Sequence, residues 1–180
     1  KPDNQKSGTS LVADGCSILL QANFNEIEDM YYKWSVGIKN IGLYSNTSNG
    51  IAIKLDGCSH TRIEDVHIAY FDVGIKINFG MLDEYRNISI YACNKYGVCY
   101  ENRGITTSQI FNNVYIGQMV TGIPFYVPKE SSTDLTLNRP TFESSPTAIV
   151  CEDTNISFTV NDIYVENIPR TINGVTNGTL

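Results

Sequence analysis

Two pairs of glutamates have spacings that fit the two-carboxyl chemistry of glycoside hydrolysis. Glu143 and Glu166 are 23 residues apart, and Glu101 and Glu152 are 51 residues apart. Hydrolysis of a glycosidic bond uses one carboxyl as general acid and another as nucleophile or base, about 5–5.5 Å apart in retaining enzymes and about 6.5–9.5 Å apart in inverting ones. Whether either pair reaches such a distance depends on the elements that carry it.

Other polar residues could assist this reaction or hold a sugar. Asp162 and Arg139 are near the first pair in sequence, and Arg139 could keep one carboxylate ionised. A lyase would instead need a base and a cation, for which His67, Lys54 and Lys76 are the candidates. The side chains predicted to contact the substrate are Tyr115, Tyr164, Arg139, Tyr126 and His67.

The chain repeats itself with a period of about 24 residues. Short alternations of apolar and polar residues begin at Gly50, Gly74, Gly97, Gly122 and Ala148, which are 24, 23, 25 and 26 residues apart. A second alternating segment accompanies each first one, and its leading residues are Ile41, Val66, Ile88, Val114, Pro140 and Ile163. Two coupled series with one period indicate a solenoid rather than a set of unrelated strands.

Each repeat unit predicts short strands joined by tight turns. The segments alternate with period two and are separated by Gly, Asn, Asp, Ser and Thr, which are turn formers. Such a unit cannot bury its apolar face alone, but it builds a continuous core when stacked on similar units. A β-sandwich is the competing prediction, and a leucine-rich repeat is disfavoured because its leucine and asparagine consensus is absent. We therefore predict an all-β fold, a right-handed parallel β-helix of about six rungs.

The alternation assigns side chains to the inside or the outside of this solenoid. The first strands are predicted to bury Ile51/Ile53, Ile75/Ile77, Val98/Tyr100, Ile123/Phe125 and Ile149/Cys151, with Ala52, Cys99, Pro124 and Tyr126 among the residues outside. The second strands are predicted to bury Ile41/Leu43, Val66/Ile68, Ile88/Ile90, Val114/Ile116, Pro140/Phe142 and Ile163/Val165.

Three outward columns follow from the second strands. The first column contains Asn40, Asp65, Asn87, Asn113, Arg139 and Asp162. The second contains Gly42, His67, Ser89, Tyr115, Thr141 and Tyr164, and the third contains Tyr44, Ala69, Tyr91, Gly117, Glu143 and Glu166.

Because rungs are about 4.8 Å apart, Glu143 and Glu166 on adjacent rungs fit the retaining distance, and Glu101 and Glu152 on alternate rungs fit the inverting one. One carboxyl of a close pair should then have a raised pKa. Carboxylates, amides and tyrosines on one face suit a long polar polymer such as a polysaccharide; a solvated face or a subunit interface is the alternative.

The composition describes one globular domain with an acidic surface. Of 180 residues, 42% are hydrophobic and 18% charged, and 13 Lys and Arg against 19 Asp and Glu give a net charge of −6. This balance disfavours nucleic acid and anionic membranes as partners, and no apolar run is long enough to span a bilayer. The five cysteines show no zinc-binding spacing, so no metal or cofactor is predicted.

The segment from Gly37 to Ile77, GIKNIGLYSNTSNGIAIKLDGCSHTRIEDVHIAYFDVGIKI, resembles the pectate-lyase-like right-handed β-helix, particularly that of bacteriophage tailspikes. The resemblance extends less clearly to about residue 168 and implies a homotrimeric, extracellular protein of the virion tail that binds bacterial capsule, lipopolysaccharide or another glycan. Many such relatives cleave the glycan, and others only adhere to it. The aspartate cluster that binds calcium in pectate lyases is not recognisable.

The domain and function predictions are as follows. Residues 1–180 form a single β-helix domain, with atypical rungs over 1–36, regular rungs over 37–168 and a tail or the start of another rung over 169–180. Because the chain begins with Lys1 rather than Met, we expect it to be a fragment of a longer protein. The expected function is polysaccharide binding with cleavage, by hydrolysis rather than by elimination, and the alternative is a non-catalytic adhesion or structural shaft.

Overall fold

In the computed structural model of the chain, the strands stack into a right-handed parallel β-helix of about five turns. The structure describes residues 9–12, 16–21, 37–101, 106–131, 133–152 and 156–174. Every strand pairing within these residues is parallel. This confirms the predicted fold class and excludes a β-sandwich, whose sheets are antiparallel.

The strands of the described residues form three sheets. The nine-stranded sheet contains β1 (Thr9–Val12), β3 (Gly37–Tyr44), β6 (Arg62–Ala69), β9 (Glu84–Tyr91), β12 (Gln109–Gly117), β14 (Asp134–Asn138), β15 (Thr141–Glu143), β17 (Ser157–Asn161) and β18 (Tyr164–Glu166). The seven-stranded sheet contains β2 (Cys16–Gln21), β4 (Ile51–Asp56), β7 (Val73–Ile77), β10 (Tyr96–Tyr100), β13 (Ile123–Val127), β16 (Ile149–Cys151) and β19 (Ile172–Gly174). The three-stranded sheet contains β5 (Cys58–Ser59), β8 (Gly80–Met81) and β11 (Thr106–Thr107).

The corners of the solenoid are columns of residues with left-handed backbone conformation. The corner column within the nine-stranded sheet contains Asn40, Asp65, Asn87, Asn113, Arg139 and Asp162, all with φ between 51° and 56°. Two further columns contain His60, Leu82 and Ser108, and Tyr70, Ala92, Gln118, Ser144 and Asn167. Asn and Asp tolerate this conformation better than most residues do, because their short polar side chains bond locally. The first predicted outward column is therefore a bend that turns each rung.

Amide side chains form two hydrogen-bonded ladders along this bend. Asn113 Nδ2 donates to Asn87 Oδ1 at 2.9 Å, and Asn87 Nδ2 donates to Asp65 Oδ1 at 2.9 Å. The second ladder, one position before the bend, links Asn161 to Asn138 at 2.8 Å and Asn138 to Asn112 at 2.9 Å. Each amide donates to the rung before it, so the ladders fix the stacking of consecutive rungs.

The core consists of side-chain columns that run along the axis. The column Leu43, Ile68, Ile90, Ile116 and Phe142 is at most 1% exposed, as predicted for the second strands. Aromatic rings fill a neighbouring level, where Tyr85 stacks on Phe111 at 4.0 Å between ring centroids. At the edge strand β18, by contrast, Val165 is 37% exposed although it was predicted to be buried, because no further strand of the described residues covers it.

The predicted register of the seven-stranded sheet is wrong by two residues in some rungs. Ile53, not Ile51, lies opposite Ile75, and Phe125 lies opposite Val98 rather than Tyr100. Because side chains alternate with period two, a two-residue shift keeps each side chain on its face and changes only its neighbours. At the start of the strands the orientation of a side chain also differs from the prediction. Ile51, predicted to be buried, is only partly buried and lines an outer surface.

The glycines used to align these segments have different structural roles. A Cβ on Gly74 would lie 2.9 Å from Ile90 Cγ2, and one on Gly97 would lie 2.6 Å from Ile116 Cγ2, so both positions face the interior where the sheets approach closely. Gly50 instead lies in a turn, with φ of 81°. Aligning Gly50 with Gly74 in the sequence therefore shifted the predicted register of β4 by two residues.

Several residues predicted to point outward are buried. Ala52, opposite Gly74, is 0% exposed, and Ala69, Cys99 and Tyr44 are 1%, 4% and 5% exposed. Pro124 is also buried. Ala52 belongs to the hydrophobic core, so its predicted outward orientation is wrong, as expected for a position opposite the inward-facing Gly74.

One carboxylic acid is buried at a corner of the solenoid. Asp83 is 1% exposed, and it accepts hydrogen bonds from Thr61 N at 2.8 Å and from Gln109 Nε2 at 2.9 Å. Burial raises the pKa of Asp83 to about 6, although these hydrogen bonds and nearby His60 offset part of the effect. Tyr85, whose hydroxyl donates to Gln109 Oε1 at 3.1 Å, completes the cluster.

The predicted atypical N-terminal rungs are covered only in part. Residues 9–12 and 16–21 pair with β3 and β4 as ordinary parallel strands. Residues 1–8, 13–15 and 22–36 lie outside the described residues. No helix of the described residues is long and apolar enough to cross a membrane.

Candidate functional site

Glu143 and Glu166 lie opposite each other on adjacent rungs of the nine-stranded sheet. Glu143 ends β15, Glu166 ends β18, and the two are direct register partners. Glu143 is partly buried and Glu166 is exposed. Adjacent parallel strands are about 4.8 Å apart, so their backbones have the spacing that the retaining distance requires.

Two tyrosine hydroxyls hold these carboxylates. Tyr115 Oη donates to Glu143 Oε2 at 3.0 Å, and Tyr164 Oη donates to Glu166 Oε2 at 2.9 Å. Burial and the Glu143 carboxylate raise the pKa of Tyr115 to about 12, and the hydrogen bond to Glu166 raises the pKa of Tyr164. Both phenols therefore remain protonated donors at neutral pH.

The backbone register explains why Tyr115 reaches Glu143. Tyr115 lies opposite Thr141, and Gly117 lies opposite Glu143, so the tyrosine approaches the carboxylate diagonally. A Cβ on Gly117 would collide with the Tyr115 hydroxyl. Glycine at this position thus leaves room for the hydrogen bond.

We call the outer surface formed by Tyr91, Tyr115, Glu143, Tyr164 and Glu166 the tyrosine–glutamate face. The register reproduces the second and third predicted columns in full, from Gly42 to Tyr164 and from Tyr44 to Glu166. The sequence had assigned Tyr115 and Tyr164 to the substrate, and the structure shows that each hydroxyl also binds a carboxylate of its own chain.

Arg139 and Asp162 lie at the bend beside this face. Both have left-handed backbones, with φ of 51° and 55°. Among the ion pairs of the described residues, none includes Arg139 or Asp162. The structure therefore shows no ionic contact between Arg139 and either carboxylate of the pair.

The three residues considered for a lyase lie on two different sheets. His67 is on β6, where its ring centroid is 5.7 Å from that of Tyr44, and desolvation lowers the pKa of its imidazole. Lys54 and Lys76 are on the seven-stranded sheet, where Lys54 pairs with Asp56 at 3.6 Å and Lys76 pairs with Glu101. The fold does not bring these groups together on one sheet.

The second glutamate pair has separate partners. Glu101, just after β10, forms the ion pair with Lys76. Glu152, just after β16, accepts a hydrogen bond from Tyr126 Oη at 3.0 Å. Burial and the Glu152 carboxylate raise the pKa of Tyr126 to about 12. Strand β13 separates the two rungs, as predicted for this pair.

Sequence reasoning missed a group of residues at the start of the seven-stranded sheet. Asp72, Lys95 and Tyr96 line a groove together with Lys76. Tyr96 directly precedes Gly97, at which the predicted strand was taken to begin, so it fell outside the assigned columns. The available signal was Lys95 next to Tyr96, with Asp72 one repeat earlier in the chain.

Comparison with known proteins does not assign the chain to a family. No protein-family model matches it, and no curated protein matches it. The described residues contain no group of three or more His, Cys, Asp or Glu arranged to hold a metal ion.

Proposed function

We propose that the protein binds an extended polysaccharide along the nine-stranded sheet and hydrolyses it at Glu143 and Glu166. The observation that carries this proposal is the direct pairing of the two glutamates on adjacent rungs. The spacing fits a retaining glycosidase, and the tyrosines of the same face offer rings and hydroxyls to a sugar.

The environments of the two carboxyls suit different roles. Glu143, partly buried and fixed by Tyr115, suits the nucleophile, because attack on the anomeric carbon requires a set geometry. Glu166, exposed to solvent, is then the general acid and base, because the water of the second step must reach this residue. In this mechanism Glu166 gives its proton to the leaving oxygen as the glycosidic bond breaks and Glu143 forms a glycosyl ester. Water activated by Glu166 then cleaves that ester.

A bacterial surface polysaccharide, either capsule or lipopolysaccharide, is the glycan that we propose. The support is the resemblance of residues 37–77 to tailspike β-helices, which also suggests a homotrimer on a virion tail. Fold alone does not determine function, so the choice of glycan depends on the experiment that follows.

The test is to incubate the protein with purified capsule and lipopolysaccharides and to measure released oligosaccharides. Replacing Glu143 or Glu166 by Gln should lower turnover at least about 100-fold, while polysaccharide binding is largely kept. Glu130→Gln is the matched control, because Glu130 is an exposed glutamate outside the strands and outside both surfaces. Unchanged turnover in both Glu143→Gln and Glu166→Gln would reject the pair. An unsaturated, ultraviolet-absorbing product would indicate a lyase instead.

Adhesion without cleavage is the second candidate. It is favoured by the observation that each carboxylate already accepts a tyrosine hydrogen bond within the chain, as expected for a surface that orders its side chains only for binding. Polysaccharide binding without any released product from the wild-type protein would establish this candidate and exclude hydrolysis.

A further inference from the structure

The seven-stranded sheet carries an open groove on its outer surface. Ile51, Val73 and Tyr96 lie opposite one another on β4, β7 and β10 and form its floor. The groove has a volume of about 350 Å³. It is separate from the tyrosine–glutamate face, which belongs to the nine-stranded sheet.

Tyr96, which lines the groove, belongs to a pair of stacked aromatic rings. The rings of Tyr96 and Tyr126 are nearly parallel, at 11°, with centroids 4.7 Å apart. The hydroxyl of Tyr126 is fixed by Glu152 at 3.0 Å, and both tyrosines are partly exposed. A fixed, partly exposed ring offers a flat apolar surface of the kind against which the C–H groups of a sugar ring pack.

Charged side chains at the rim are held in ion pairs. Lys95 Nζ is 2.8 Å from Asp72 Oδ2 on one side, and Lys76 pairs with Glu101 on the other. Pairing orders these long side chains and leaves remaining hydrogen-bonding capacity for hydroxyl groups. A rim of oriented ammonium donors and carboxylate acceptors therefore suits a ligand rich in hydroxyls.

The ion pairs at the groove disfavour an acidic ligand. Two lysines and one carboxylate line it, namely Lys76, Lys95 and Asp72, and Glu101, which pairs with Lys76, balances their charge. A uronic acid would have to displace a carboxylate from its lysine. An uncharged sugar has no such requirement.

We propose that this groove binds an uncharged sugar residue of a glycan, with the Tyr96 ring against its apolar side and Asp72, Lys76 and Lys95 on its hydroxyls. Binding here breaks no bond and needs neither Glu143 nor Glu166. The site is therefore independent of hydrolysis on the other sheet and would anchor the protein to a glycan in either proposed function.

The experiment uses the isotopically labelled full chain and follows backbone amide signals by nuclear magnetic resonance. The probes are neutral oligosaccharides of glucose, of mannose and of galactose, and an oligogalacturonate of the same length. At least one neutral probe should shift the amides of Val73, Tyr96 and Cys99, and oligogalacturonate should not. Tyr96→Ala should weaken binding about tenfold.

Two further variants keep the result interpretable. Lys95→Ala, at a side chain that is 62% exposed, should also weaken binding and decides the matter if Tyr96→Ala does not fold. Tyr70→Ala, at an exposed tyrosine outside the groove, should bind as the wild type does. The proposal is overturned if no neutral probe shifts the groove amides, if oligogalacturonate binds as tightly, or if folded Tyr96→Ala and Lys95→Ala both retain full affinity.

Discussion

The tyrosine–glutamate face and the groove occupy two sheets of one solenoid and treat their carboxylates differently. On the first, Glu143 and Glu166 lie on adjacent rungs, and each accepts a hydrogen bond from a neutral tyrosine. In the groove, Glu101 and Asp72 are each paired with a lysine. Both surfaces rest on the same kind of parallel backbone, so the difference comes entirely from the side-chain columns.

In the functions that we propose, this difference distinguishes a surface that hydrolyses a glycan from one that only binds it. A carboxylate paired with an ammonium group is held in its charged form, which serves recognition better than proton transfer. Two neighbouring carboxylates without a cation can share the roles of acid and nucleophile. In the functions that we propose, the carboxylates paired with lysine serve binding, and the glutamate pair without a lysine serves hydrolysis.

The largest expected effect comes from breaking the core that both surfaces share. Ile90 lies inside the nine-stranded sheet and Ile77 inside the seven-stranded sheet, and both are 0% exposed. Either change to Asp would place an unpaired charge in the stack and destabilise the fold by more than about 4 kcal/mol. Circular dichroism should show loss of cooperative unfolding in both variants. Ser89→Asp, on the outer side of β9, is the control, and a wild-type melting temperature for Ile90→Asp would show that its assigned orientation is wrong.

Asp83 has a third kind of environment, because its carboxyl has no lysine partner among the described residues and is buried away from solvent. Its pKa is raised to about 6, above the unfolded value of 3.8, so the folded state binds the proton more tightly. The protonated Asp83 stabilises the folded state fully below about pH 4. This stabilisation, about 3 kcal/mol, is lost as the pH rises from about 4 to about 6.

Asp83→Asn should remove this pH dependence. Urea unfolding between pH 4 and pH 7 would measure the difference between wild type and variant, in which the other carboxyl groups cancel. The variant should gain stability relative to the wild type as the pH rises through this window. A constant difference would contradict the raised pKa.

The tyrosine hydrogen bonds allow the two surfaces to be compared directly. Tyr115→Phe removes the bond to Glu143, and Tyr126→Phe removes the bond to Glu152. Hydrogen bonds to charged groups are strong when buried, and at these partly exposed positions we expect each change to lower the free energy of unfolding by about 1 kcal/mol. Turnover should fall only in Tyr115→Phe. An equal loss of turnover in both variants would show that the surfaces are not functionally distinct.

The smallest effect should come from the bend beside the tyrosine–glutamate face. Arg139 has a left-handed backbone, with φ of 51°, where five other rungs have Asn or Asp. Arg139→Asn should stabilise the protein by about 1 kcal/mol or less, because asparagine adopts this conformation more readily. Thermal unfolding measures the shift, with Arg170→Asn as a control. A lower melting temperature would show that Arg139 has a stabilising contact that outweighs the strain.

The nine-stranded sheet was predicted well because its columns contain distinctive residues. Asn and Asp recur at the bend, and Ile, Val and Phe recur on its inner side, so only one alignment satisfies both series. That alignment correctly brought Glu143 opposite Glu166. The enrichment of Asn and Asp could also have predicted the left-handed bend.

The seven-stranded sheet was predicted less well because its alignment relied on glycine. Gly74 faces the core and Gly50 occupies a turn, yet the two are identical in sequence. A shift of two residues preserves the inside–outside pattern, so periodicity could not detect the error. Tyr96 and its groove were missed because Tyr96 precedes Gly97, the glycine at which the predicted strand began.

The sequence by itself determined the period, the strands, the fold class and the outward columns of the nine-stranded sheet, since these depend on side-chain type and on alternation along the chain. Only the tertiary structure decided which tyrosine holds which glutamate, which lysine pairs with Glu101, and that Asp83 is buried. The Tyr115–Glu143 and Lys76–Glu101 contacts join residues more than 20 positions apart. They depend on register and on the direction of each side chain, which a repeating sequence specifies only once its rungs are stacked.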